Sequence, residues 1–220
     1  MSSVSLELVR ALREQLEQRE NLLRTGARRV GWKLGLSDRD RLGGAIGVGH
    51  LTTATSLSSG ASYAADGARE LSADAEVAVE LASDIEPGDD ISAIREAIGG
   101  YSIALEICDI APLENEPYSV IATNDFHRAV AFGETSNSPP TGVRAELSVN
   151  GHLRRGGAAP SDLEICDRLR AAAGVLDAVD ERLLAGDRII TSSVVSTPIQ
   201  PGDDVTAQAE SLGCIQLRIT

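Results

Sequence analysis

The sequence predicts an α+β fold whose core is a mixed, largely antiparallel sheet. Three observations carry this: segments of period-two alternation outnumber helical ones, turn dipeptides such as Pro87-Gly88, Asn150-Gly151 and Pro201-Gly202 set them apart, and they do not alternate with helices as βαβ units would. With 220 residues, 42% of them hydrophobic, one domain over 1–220 is expected, since a chain of this size hides roughly 70% of its unfolded surface on folding. Residues 4–24 form its N-terminal packing helix and 29–220 its β-rich body.

In the helix, Leu8, Val9, Leu12, Leu16 and Leu23 recur at helical spacing, with Glu7 early, Arg24 late and Gly26 placed to end it. From Arg29 the period becomes two. Val30, Trp32, Leu34 and Leu36 fill one strand face, and Gly31, Lys33 and Gly35 the other, where missing side chains let a backbone or ligand approach Lys33 closely. Residues 42–67, rich in Gly, Ser, Thr and Ala, read as loops with short strands. Ala75, Val77, Val79 and Leu81 alternate with Asp74, Glu76 and Glu80, a strand with one apolar and one acidic face. Ile91 to Ile98 reads as a short helix closed by Gly99-Gly100, and Tyr101 to Ile110 as an apolar strand interrupted by Glu106.

An irregular stretch then runs to Gly133. Val143 to Val149 is a strand entering the hairpin turn Asn150-Gly151. Ser161 caps a helix of about ten residues, a second helical piece covers Asp177 to Leu184, and strands close the chain at Arg188 to Ser193, Asp204 to Glu210 and Cys214 to Ile219.

The 20 basic residues against 33 acidic ones give a net charge of -13, and Lys33 is the only lysine. That balance repels phosphate backbones and offers no basic cluster with interleaved aromatics, so nucleic acid is not an expected partner. No run of about 18 apolar residues could span a bilayer and no leader pattern opens the chain, so a cytoplasmic, membrane-free protein is expected. Cys108, Cys166 and Cys214, odd in number and widely spaced, read as buried reduced thiols.

Asp74 and Glu76 project from one strand face roughly 6.5–7 Å apart along the backbone. Pairing of the Glu106 strand beside theirs would add a third carboxylate, and three oxygen donors suit a hard ion such as Mg2+ or Mn2+. On pattern alone, Asp74 and Glu76 fit a solvated acidic face better than a metal site, and Lys33 also fits a lysine snorkelling from a strand edge. Glu106 is harder to place so blandly: within an apolar strand it must pair with an Arg, bind a metal or accept several hydrogen bonds.

The segments Gly31-Trp32-Lys33-Leu34-Gly35-Leu36, Asp74-Ala75-Glu76-Val77-Ala78, Ala104-Leu105-Glu106-Ile107 and Leu147-Ser148-Val149-Asn150-Gly151, with the tail from Gly186-Asp187 to Leu212-Gly213, follow one another in an order that resembles the fumarylacetoacetate hydrolase superfamily. The likeness is greatest to its branch of 2-oxopent-4-enoate hydratases and 4-oxalocrotonate decarboxylases and covers nearly all of the chain after residue 4. It implies a β-roll-like mixed sheet with peripheral helices, like the C-terminal domain of that superfamily, and Mg2+ or Mn2+ held by Asp74, Glu76 and Glu106. Lys33 would orient a substrate carboxylate or assist proton transfer in this catalytic body.

Where the family usually has Glu, this chain has the shorter Asp74. His50-Leu51-Thr52-Thr53 and Asn124-Asp125-Phe126-His127-Arg128 also depart from the pattern. His50 and His127 are therefore candidate proton-transfer groups and Arg128 a candidate clamp for a second carboxylate, against the plainer reading of both histidines as loop residues. His152, just after the hairpin turn, reads as structural or solvated.

The resemblance implies a metal-dependent lyase acting on a short 2-oxo or 2-hydroxydienoate acid, with hydration of 2-hydroxypenta-2,4-dienoate to 4-hydroxy-2-oxopentanoate in aromatic catabolism as the expected reaction. Decarboxylation of a 2-oxo diacid of the 4-oxalocrotonate type, or hydrolysis of an acylpyruvate carbon-carbon bond, are alternatives on the same scaffold. A noncatalytic homologue that binds a metabolite or a partner is the alternative of another class. Self-association is implied too, and so is a complex with a related pathway enzyme.

Overall fold

The computed structural model describes residues 4–35, 39–110 and 116–220. Ser5 caps the first helix, α1 (Leu6–Arg24), its side chain accepting from the Leu8 amide at 3.1 Å. Leu8 and Leu12 enter the core as their spacing requires, but Gln15 and Arg19 are buried on the same face. Gln15 is accommodated because its amide donates to the Val48 and Ile121 carbonyls at 3.0 and 2.6 Å.

Strand β1 (Arg29–Gly35) follows, with Trp32 and Leu34 on the core side; Leu36, expected on that face, lies outside the described residues. The Gly-rich segment supplies β2 (Gly47–Thr52) and the short β3 (Ser56–Leu57) and β4 (Ser62–Tyr63). Next come β5 (Leu71–Leu81), helix α2 (Ile91–Ala97) and β6 (Ile98–Asp109). Gly99 and Gly100 do not end the helix in a loop; they are the first turns of pleat in β6, where a Cβ on Gly100 would lie 2.3 Å from Thr135.

The stretch read as irregular contains α3 (Pro117–Ala122) and β7 (His127–Phe132). Strands β8 (Arg144–Val149) and β9 (His152–Ala158) form the expected hairpin, with positive φ at both Asn150 and Gly151 and His152 exposed. Helix α4 (Asp162–Asp177) is a single longer helix, started by a capping box between Ser161 and Glu164. The expected second helical piece from Asp177 to Leu184 does not form: Asp180 turns left-handed at φ 61° and Leu183 bridges to Ile85 in extended pairing. Strands β10 (Arg188–Pro198), β11 (Asp204–Ala209) and β12 (Gly213–Ile219) complete the fold.

The strands make two sheets. One has seven strands in the order β2-β1-β10-β5-β6-β7-β3, the other five in the order β4-β12-β11-β8-β9. Pairs β1–β10, β3–β7 and β4–β12 are parallel and the rest antiparallel, so the sheet is mixed and largely antiparallel as expected. Between the sheets, Ala75, Val77, Ile103 and Leu105 meet Leu147, Val205, Ile215 and Leu217, all fully or nearly fully buried. The other face of the larger sheet carries a small apolar patch of Leu51, Ala78, Ala104, Val130 and Ile190 and, beside it, the polar residues described next.

Cys108 and Cys166 are buried and reduced, but Cys214 is exposed, against expectation, because it falls on the outward phase of β12. Among the described residues, no helix is long and apolar enough to cross a membrane.

Candidate metal-binding cleft

The parallel ladder between β1 and β10 ends at Lys33 and Ile190, although both strands continue. Where they part, a cleft of about 240 Å³ opens, lined by Lys33, Leu34 and Gly35 from β1, Asp74 and Glu76 from β5, Cys108 from β6, Ser193 from β10, and Ile110, Asp125, Phe126 and Arg168. The glycines beside Lys33 are explained by close approach. A Cβ on Gly31 would lie 2.1 Å from the Arg188 carbonyl oxygen, and one on Gly35 would lie 1.6 Å from Asp125 Oδ2.

Register puts the acidic groups together. Asp74 stands directly opposite Glu106, with Glu76 and Cys108 one step away along the same face. One donor atom each from Asp74, Glu106 and Cys108 lies within 4.8 Å of the others. This face is not solvated: Glu76 is 2% exposed and Glu106 fully buried. Nor does Lys33 snorkel, being 6% exposed with its Nζ 2.9 Å from Glu106 Oε2 and donating to the Asp125 carbonyl at 2.8 Å. His127 supplies the other partner of Glu106, its Nδ1 lying 2.7 Å from Oε1 while its Nε2 lies 3.0 Å from Thr55 Oγ1.

These contacts set the charges. Burial works against an ionised Glu106, but the Lys33 ammonium and the His127 hydrogen bond outweigh it and hold the carboxyl well below its usual range. Burial likewise opposes the Lys33 cation, and the surrounding Cys108, Glu106, Asp125 and Glu76 outweigh it, keeping the ammonium well above the ordinary lysine value. Glu76 is pushed well up by burial and by the Glu106 charge, and Asp74 is pushed up by the same two effects.

One wall of the cleft is a strained backbone. Asn124, Asp125 and Phe126 have φ of 66°, 52° and 62°, three consecutive non-glycine residues in the left-handed region. Asn124 fastens this segment to β2, accepting from the His50 amide at 2.7 Å and donating to its carbonyl at 3.1 Å. The result aims the Asp125 carbonyl at Lys33 and leaves Asp125 Oδ2 buried with no hydrogen-bond partner among the described residues.

Of the residues singled out from the sequence, Lys33, Asp74, Glu76 and Glu106 come together, and His127 joins them from behind Glu106. Both histidines lie in strands rather than loops, and neither lines the cleft. His50 pairs with Trp32 across β1–β2, on the face turned away from Lys33, and burial lowers its pKa to about 4. Arg128 alternates outward from His127 and pairs with Asp109 at 3.1 Å, so it is outside the cleft as well. The structure adds Asp125, Phe126 and Arg168. Phase alone marks Cys108, two residues after Glu106, but nothing local in the sequence marks Arg168, which reaches the cleft from α4.

The donor set fits a divalent cation. Among the described residues Glu76 Oε2 is buried without a hydrogen bond, and three carboxylates crowded on one face repel one another, a conflict a hard cation relieves.

The chain matches no family model, and no curated protein matches it. Its fold is that of several solved enzymes. The structure of 4-oxalocrotonate decarboxylase from Pseudomonas putida G7, complexed with magnesium and adipate, superposes with a TM-score of 0.87 at 21% identity over 97% of this chain and 86% of that one. Fumarylacetoacetate hydrolase from Exiguobacterium antarcticum gives 0.67 at 19% identity over 87% and 75%. Fumarylpyruvate hydrolase from Pseudomonas aeruginosa, in complex with Mn2+ and pyruvate, gives 0.63 at 13% identity over 88% and 89%.

Proposed function

We propose that the chain is a member of the fumarylacetoacetate hydrolase superfamily and a divalent-metal-dependent lyase acting on a short 2-oxo acid. The observation that carries this reading is the juxtaposition of Asp74, Glu76 and Glu106 on one sheet face with Lys33 at 2.9 Å from Glu106.

In this reading Asp74, Glu76 and Glu106 hold Mg2+ or Mn2+, which when bound supplies Lewis-acid polarisation to the carboxylate and C2 oxygen of the substrate. Lys33, kept protonated by its neighbours, acts as a fixed cation beside the place where negative charge develops rather than as a base. His127 is a positioning residue: it holds Glu106 in one orientation without touching the substrate. Leu34, Ile110 and Phe126 keep the carbon chain away from water.

Hydration of 2-hydroxypenta-2,4-dienoate needs a group that delivers and activates water. Neither His50 nor His127 lines the cleft, which leaves Asp125 as the acid-base group available for that reaction. Decarboxylation needs no such base, and that difference, with the larger fold likeness to 4-oxalocrotonate decarboxylase, favours it over hydration. Hydrolysis of an acylpyruvate meets the same difficulty as hydration.

A cytoplasmic location, self-association and a complex with a related enzyme belong to the same proposal. The deciding experiment is a product assay with Mg2+ or Mn2+ on a panel of 2-oxo and 2-hydroxydienoic acids, following carbon dioxide release and water addition separately. Carbon dioxide release supports decarboxylation. Metal and acid binding without turnover would leave only the binding homologue, and no metal binding at millimolar concentration would sink the reading.

A further inference from the structure

Cys108 sits among the acidic groups of the cleft, not at its margin. It follows Glu106 by two residues in β6, so strand alternation turns both side chains to the same face. The residue is 3% exposed and lines the cleft, and its Sγ lies within 4.8 Å of a carboxylate oxygen from each of Asp74 and Glu106. Lys33 Nζ, 3.6 Å from Sγ, places a cation beside it. The oxygens around this sulfur are partly committed. Asp74 Oδ1 accepts from Ser196 at 2.7 Å and from Ser72 at 3.0 Å, which leaves Oδ2 as the oxygen for an ion. Glu106 Oε1 lies 2.7 Å from His127 Nδ1 and Oε2 lies 2.9 Å from Lys33 Nζ, so each keeps only part of its acceptor capacity. Glu76 Oε2, by contrast, is buried with no hydrogen-bond partner among the described residues, on a side chain that lines the same cleft. Few oxygens are free to fill the six-coordinate shell of a hard ion without added water. A four-coordinate ion needs only one atom from each of Asp74, Glu106, Cys108 and Glu76.

We propose that Cys108 is an ion ligand, and that the cleft therefore takes borderline, sulfur-binding ions such as Zn2+ and Co2+ through a mixed oxygen and sulfur donor set. The inference rests on the metal-binding reading above and goes beyond it: oxygen donors alone suit Mg2+ and Mn2+, whereas sulfur is the donor that favours softer ions. On binding, the thiol proton leaves to solvent and the sulfur electron pair that held it forms the bond to the metal. Zn2+ and Co2+ bind most nitrogen, oxygen and sulfur sites more tightly than Mn2+ does, so an affinity order alone is no test of the thiolate. The test has to read the sulfur itself.

Cys166 is buried in the core and does not line the cleft, whereas Cys214 is exposed, so the full chain carrying Cys214→Ser removes competing surface sulfur. Titrated with Co2+, this protein is expected to develop a near-ultraviolet sulfur-to-cobalt charge-transfer band that saturates at one equivalent. Adding Cys108→Ser should abolish the band. It should also weaken Co2+ and Zn2+ binding by about tenfold or more, at least the loss caused by removing a group that only orients a ligand, while calorimetry with Mg2+ shows a much smaller change. Co2+ binding without the band, a band that survives Cys108→Ser, or equal weakening of Mg2+ and Co2+ would overturn the proposal. The first of these is read with Cys108 intact and does not depend on how the Cys108→Ser protein folds. Heat of Mg2+ binding with no cobalt band removes the sulfur ligand alone, and no binding of either ion at millimolar concentration removes the metal-centred reading and the sulfur ligand together.

Discussion

Asp74 and Glu106 face each other across the β5–β6 ladder, two carboxylates at directly paired positions, Glu106 fully buried and Asp74 half-buried. Like charges placed this way destabilise a sheet unless something between them compensates. Asp74→Asn is therefore expected to leave the metal-free protein as stable as wild type or more so, while Mg2+ affinity falls roughly tenfold or more. Melting curves with and without Mg2+ check both halves; an Asn variant still stabilised by Mg2+ like wild type would remove Asp74 from the ligand set.

His127 touches Glu106 and Thr55 but does not line the cleft. Its replacement by Ala should reduce metal affinity by about 10- to 100-fold, as loss of a group orienting a ligand does. A variant with lower stability and unchanged Mg2+ affinity would make the contact purely structural.

Removing Lys33 leaves Glu106 buried without its cation, so Lys33→Ala should cost about 3–5 kcal/mol of stability as well as turnover. Adding Glu106→Gln to it should restore part of that loss. Urea denaturation of the two single variants and the double variant measures the coupling, and strictly additive losses would contradict it.

His50 is held neutral by burial, with its pKa lowered from 6.5 to about 4. The unfolded chain then binds the extra proton between those values, so stability declines as pH falls from 6.5 toward 4, by on the order of 3 kcal/mol from this group. Denaturation midpoints of wild type and His50→Asn across that window should diverge, the variant showing the shallower dependence; parallel curves would assign the loss to other groups.

Gly31 and Gly174 should respond oppositely to alanine. At Gly31 φ is 150° and the new Cβ would meet the Arg188 backbone, so a loss of about 3 kcal/mol or more is expected. Gly174, exposed within α4 with nothing within 4 Å, should gain up to about 1 kcal/mol. Equilibrium unfolding of both variants provides the comparison.

The centre of the cleft was legible because strands alternate. Asp74, Glu76 and Glu106 share a phase with one another and Lys33 sits between glycines, so one pairing assumption assembles them. Strand β7 escaped because Asn124, Asp125 and Phe126 enter it through left-handed backbone, which leaves no alternation to read before His127. Gly99-Gly100 looked like a helix stop because the same small residues also admit Thr135 against a strand. Arg168 carries no local signal: its place depends on how α4 packs against β10, a tertiary fact.

Because Lys33 is the sole lysine and 6% exposed, the folded protein presents almost no side-chain amine to solvent. Reagents that acylate lysine, and any tagging chemistry that needs an ε-amino group, find their only side-chain target inside the cleft. Acylation there would destroy the charge on which Glu106 depends. The rate at which Lys33 becomes reactive therefore reports how often this cleft opens, and an acid bound in it would slow that rate.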